Sequence, residues 1–178
     1  MAVIGFLRFA GFLNIAIWLG AVVSFTFALG PAFFSEEMKA LFLHQTYYTG
    51  GAAQIVIKRY FVLLQVCGGV ALLHLFLEKL YLGKRVERLS LLILALAVSL
   101  SLLGGIWLQP KLKNLRLRKY DTHSSIELRQ SAGQSFKKWH GLSQVMNLVL
   151  LGSLLVYFTR VSKSSTPSRF SGSQKFIG

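Results

Sequence analysis

The residues best equipped for chemistry stand at the head of the last apolar run, Phe136-Lys137-Lys138-Trp139-His140-Gly141-Leu142-Ser143, followed by Asn147. His140, Ser143 and Asn147 occupy i, i+3 and i+7, so an imidazole, a hydroxyl and a carboxamide share one helical stripe. Polar groups inside a membrane helix are costly and mark functional sites by default. This set can hydrogen-bond across helices or, through the imidazole, ligate a metal. Gln65, five residues past Tyr60, lies near the same membrane face. It is expected to join His140, Ser143 and Asn147 in a polar seam between the last helix and the second. On a rise of 1.5 Å per residue, Asn14 and His74 lie roughly 9 and 7–8 Å from the opposite boundary, and are expected to meet as a second polar cluster.

Depth also bears on cofactors. His74 and His140 differ by roughly 20 Å, too far to share one haem iron. The better metal constellation is His140 with His44, Met38 and His123, all on one membrane side, where imidazole and thioether donors together suit copper. No His-x-x-x-His spacing supports it, and structural histidines that hydrogen-bond across helices are the competing account. Cys67 is alone, so neither a disulfide nor a Cys-x-x-Cys site is available. The sequence holds no nucleophile elbow, phosphate-binding glycine loop, paired catalytic carboxylates or zinc-protease signature. A chain that is not an enzyme and carries no cofactor is expected, with copper or haem as the alternatives.

These residues must be positioned by helices. The chain has 178 residues, 53% of them apolar, and a mean hydropathy of +0.54, the profile of a polytopic membrane protein. Four runs, 9–34, 60–80, 89–107 and 139–158, are long enough to cross a hydrocarbon core of about 30 Å, and in lipid only a helix of that length satisfies its own backbone. The first run is too long for a secretory signal and reads as a retained span. The expected fold is all-α, an integral membrane four-helix bundle within residues 1–160, with an extended basic connector between helices 3 and 4. That connector, Lys111 to Lys138, interleaves leucines with bases, which suits a helix leaving the bilayer or lying on it. Residues 161–178 form a polar basic tail expected to order only when bound.

Punctuation is chemical. Pro31 after Gly30 is expected to kink or end the first helix, and Gln109-Pro110-Lys111 to end the third. Tyr60, Trp107 and Trp139 at one face, and Tyr81 and Tyr157 at the other, are expected in aromatic belts. Gly68, Gly69, Ala71, Gly104, Gly105, Gly141 and Gly152 are expected to let helix backbones approach.

The net charge of +14 comes from twenty Lys and Arg against six acids. The bases sit between and beyond the apolar runs, which points to membrane topology and anionic lipid rather than nucleic acid. Nine bases fall on the side of the termini and eleven on the other. The short second loop, with Lys79, Lys84, Arg85 and Arg88, is the densest, so an inner-membrane protein with cytoplasmic termini is expected.

The residues Trp18-Leu19-Gly20, Leu29-Gly30-Pro31-Ala32-Phe33-Phe34-Ser35, Tyr60-Phe61 with Gln65, Gln109-Pro110-Lys111 and the Phe136 to Asn147 motif resemble a bacterial membrane family known as domain of unknown function 4149, over residues 5–160. That family is similar to the transmembrane protein 205 group and, more remotely, to copper-resistance D membrane proteins. The resemblance implies a four-helix integral membrane protein, and its copper relatives add to the metal alternative. The function expected is a non-enzymatic accessory or interaction subunit, in contact with anionic lipid and with a membrane-protein partner or a second copy. Metal or haem handling and small-solute transport are the alternatives.

Overall fold

Four helices are long and apolar enough to cross a membrane: Gly5–Ala32, Thr46–Tyr81, Arg88–Lys119 and Ile126–Ser162, spans 1 to 4 below. The structure, a computed structural model, describes residues 2–83 and 87–164. It is 90% helical, with no strand among the described residues. Span 1 packs on span 2, span 2 on span 3, span 3 on span 4, and span 4 returns to span 1. The result is a closed four-helix ring. Its centre is apolar and buried, with Ile15, Trp18 and Val22 of span 1 meeting Leu64, Leu94 and Leu154 of the other three. Gly68 admits the Trp18 indole, since a Cβ there would lie 3.4 Å from the ring and 3.2 Å from Val98.

Three spans run further than the apolar stretches indicated. Span 2 starts at Thr46, fourteen residues before Tyr60. The third helix passes through Pro110 and continues to Lys119, and the fourth starts at Ile126. The basic connector is therefore a helical hairpin, turning where Asp121 accepts from the Ser124 hydroxyl at 2.6 Å and the His123 N–H at 3.0 Å. These extensions form a head on the side opposite the termini. Arg116 fastens it: its guanidinium donates to the Tyr47 carbonyl at 2.8 Å and lies over the Tyr47 ring, against Gly50. At the other end, Arg160 pairs with Glu87 at 2.6 Å. The last helix runs through Ser164. Residues 165–178, with Lys84 and Arg85, lie outside the described residues.

Both internal prolines follow a widened turn. Span 1 ends at Ala32, one residue past Pro31, as expected, whereas Pro110 does not end span 3; each proline is preceded by a π turn, Phe25–Leu29 and Leu103–Leu108. The wide turns close through Gly30 N–H to Phe25 O and Gln109 N–H to Gly104 O, five residues back. A proline ring collides with the carbonyl four residues before it in a regular helix. One extra residue per turn displaces that carbonyl and lets the helix continue.

Candidate functional site

A cavity of about 500 Å³ opens where the four spans enter the head. Its walls come from every span: Phe25 and Thr26 from the first π turn, Tyr60 and Phe61 from span 2, Gly104 and Leu108 from the second π turn, and His140, Ser143 and Asn147 from span 4. Both π turns thus border it, the kind of helical irregularity that recurs at functional sites. Apolar pockets with a few placed polar groups, about 300–1,000 Å³ in volume, are the usual small-molecule sites.

Its floor is a hydrogen-bonded chain linking three spans. The Tyr60 hydroxyl donates to Asn147 Oδ1 at 2.8 Å, Asn147 Nδ2 donates to Thr26 Oγ1 at 2.6 Å, and the Thr26 hydroxyl donates to Val22 O at 2.6 Å. Each donor in this chain finds an acceptor. Tyr60, expected in an aromatic belt, is instead 7% exposed and stacked on Phe25 with ring centroids 4.1 Å apart. Tyr157 is likewise buried in the core. Trp107 and Tyr81 are exposed. Trp107 meets Trp139 edge-on at 5.2 Å, with Lys111 Nζ 3.5 Å from the Trp139 centroid.

The stripe on span 4 comes together as its spacing indicated. His140, Ser143 and Asn147 all line the cavity. Ser143 turns back to its own helix, donating to His140 O at 2.6 Å, and the His140 ring lies parallel to Phe136 at 5.7 Å. Gln65 does not join them. It packs on span 3, where a Cβ at Gly105 would lie 2.6 Å from its Nε2. The proposed metal set is not gathered either. His44, at positive φ in the loop before span 2, and His123, in the hairpin turn, are exposed; neither they nor Met38 line the cavity. Among the described residues, no three His, Cys, Asp or Glu side chains stand together as a metal-holding group.

The second cluster exists in altered form. Asn14 and His74 bond to backbone rather than to each other: Asn14 Nδ2 donates to Cys67 O at 2.9 Å, and His74 Nε2 to Leu7 O at 2.9 Å. Leu7 and Asn14 are seven residues apart, as are Cys67 and His74. The two bonds therefore form a reciprocal antiparallel latch between spans 1 and 2. Gly11 makes room for it, since a Cβ there would stand 2.5 Å from His74 Nε2. His74 sits at one end of span 1 and His140 near the other, so the two imidazoles serve separate places.

The sequence reading missed Thr26, Gln54, Gln109 and Gln144, all of which line the cavity. Gln144 was open to detection, being four residues past His140 on the same helix. Thr26 gave no signal, because a threonine hydroxyl satisfied by the carbonyl four residues back is unremarkable in an apolar helix. Among the small residues, Gly68, Gly104 and Gly105 admit side chains of neighbouring helices, whereas Gly69, Gly141 and Gly152 have nothing within 4 Å of a built Cβ.

Fold and site together define an all-α, four-span membrane protein with a cavity at one end of its bundle. Residues 13–121 match the family model described as Domain of unknown function (DUF4149), and the chain belongs to that family. The match holds Thr26, Gln54, Tyr60 and Gln109 but stops before span 4, so the Phe136 to Asn147 motif lies beyond it. No curated protein and no solved structure matches the chain.

Proposed function

We propose that this chain is a non-enzymatic membrane protein that binds a small molecule in the cavity opposite its termini. The observation supporting this is the cavity's construction: all four spans and both π turns meet at it, above a floor where Tyr60, Asn147 and Thr26 are hydrogen-bonded to one another. The setting is the inner membrane with cytoplasmic termini, a reading that rests on the bases of the short second loop. The exposed bases of the head, Lys113, Arg118, Lys137 and Lys138, suit anionic lipid and a partner membrane protein or second copy. The histidine separation leaves metal or haem handling, and with it the likeness to copper-resistance D proteins, without a supporting observation.

Native mass spectrometry on protein released from its own membranes in mild detergent tests the binding reading. The wild type is expected to carry an added mass that Ser143→Trp, whose indole would take up space among the cavity's polar groups, does not. A wild type that flies bare and gains no thermal stability from total membrane extract overturns it.

A further inference from the structure

Resting on that binding reading, we infer that the ligand is an uncharged lipid whose head carries both hydroxyl and carbonyl oxygens, entering sideways between spans 1 and 4. Its class follows from what the cavity offers. Among the described residues no Lys, Arg, Asp or Glu lines it, so an ionic head would be desolvated there without a counter-charge, which disfavours it. The inner polar groups, Thr26, Tyr60 and Asn147, are engaged with one another. Gln54, Gln109, Gln144 and His140 also line the cavity, and among the described residues their side chains have no hydrogen-bond partner.

Three carboxamides and an imidazole donate and accept in nearly equal measure. A head that only accepts, such as a quinone ring, leaves the amide oxygens unused; one that pairs a free hydroxyl with ester carbonyls, as a diacylglycerol does, uses both sides. Phe25, Phe61, Ile57 and Leu108 supply the apolar walls for the start of its chains.

The route follows from exposure. Pro31 and Phe34 at the end of span 1, and Gln144 and Leu148 on span 4, line the cavity while themselves being exposed. They mark its mouth, which opens to the side of the bundle rather than along its axis. A molecule already dissolved in the bilayer can place its head inside and leave its chains in lipid.

The test uses the purified full chain in detergent with three probes: dioctanoylglycerol, the phosphatidic acid with the same chains, and decylubiquinone. Native mass spectrometry and thermal shift read binding. Dioctanoylglycerol is expected to bind best, and Gln109→Leu to weaken it about tenfold, the effect of one lost hydrogen bond worth about 1.4 kcal/mol. Gln144→Leu, on an exposed position, serves if Gln109→Leu melts below the wild type without ligand. Tighter binding of phosphatidic acid overturns the uncharged head, and tighter binding of decylubiquinone overturns the hydroxyl. Equal binding by wild type and both variants overturns the assignment of the amides. If none of the probes binds while protein from native membranes still carries a mass lost in Ser143→Trp, the lipid class is wrong and the binding reading stands; if no mass is carried at all, both fall.

Discussion

Replacing Asn147 by leucine, close to it in size, removes the centre of the cavity floor while changing little in shape. Two side-chain bonds disappear, one from the Tyr60 hydroxyl at 2.8 Å and one to Thr26 Oγ1 at 2.6 Å. Hydrogen bonds between membrane helices average about 0.6 kcal/mol and reach about 1.7, so the pair contributes about 1.2 kcal/mol. The Thr26 hydroxyl keeps Val22 O as acceptor and loses little more. The Tyr60 hydroxyl loses its acceptor within a buried, Phe25-stacked ring, and an unsatisfied buried donor costs about 1–3 kcal/mol. Because the floor borders a cavity, the lower end applies, which makes Asn147→Leu destabilising by about 2 kcal/mol. Tyr60→Phe removes both the donor and its penalty, and is expected to lose only about 0.6–1 kcal/mol. The double variant should then be no less stable than Asn147→Leu. Reversible unfolding in mixed micelles, followed by far-ultraviolet circular dichroism, measures all four corners of the cycle. If Asn147→Leu unfolds at the wild-type midpoint, or the two losses add to within about 0.3–0.5 kcal/mol as unconnected sites do, the floor is not the coupled chain described.

The latch between spans 1 and 2 should respond in the same assay: Gly11→Val drives a side chain into His74, whose Nε2 would be 2.5 Å from the new Cβ, and is expected to cost about 1–3 kcal/mol. Gly69→Ala, with nothing within 4 Å, is expected within about 0.5 kcal/mol of wild type; equal effects would contradict the placement of His74. At the other loop, the Arg160 guanidinium and the Ser90 hydroxyl bonded to Glu87 hold its carboxyl below the ordinary 4.5. A carboxyl depressed in the folded state stabilises the fold above its unfolded pKa, and that contribution disappears as pH falls through the folded value. Glu87→Gln should therefore flatten the loss of stability on acidification below about 4.5, and carbon-detected titration should place the Glu87 midpoint lower in the wild type than in Arg160→Gln.

The four-helix architecture was legible because apolar run length and the demand for internal backbone bonding leave lipid-spanning segments little choice. The ends of the spans were not. Apolarity stops at the membrane, whereas the helices Thr46 to Arg59, Gln109–Lys119 and Ile126 to Lys138 continue on tertiary contacts such as Arg116 on Tyr47, which no local pattern announces. Pro110 misled for a related reason. A proline's effect on a regular helix is well defined, but Leu103–Leu108 widens by one residue and absorbs it, an adjustment made across several carbonyls at once.

Within the site, what was legible and what was not divide along rotation about the helix axis. His140, Ser143 and Asn147 share one helix, where spacing of i, i+3 and i+7 sets both depth and direction, and the cavity receives all three. Gln65 was assigned to them by depth alone. At about 100° per residue, five residues from Tyr60 turn it through about 140°, so when Tyr60 faces Asn147 on span 4, Gln65 must face elsewhere, and it meets Gly105 on span 3. The same arithmetic explains the latch: residues seven apart differ by only about 20°, which is why Leu7 with Asn14, and Cys67 with His74, present paired groups along one seam. Depth and direction together would have found both arrangements. The π turns add a further offset of about 100° each, and they come just before Pro31 and Pro110. The residues whose facing is least readable by regular α-helical spacing are thus those in and beyond these turns, among them Thr26, Gly104 and Gln109, and these supply the cavity walls contributed by spans 1 and 3.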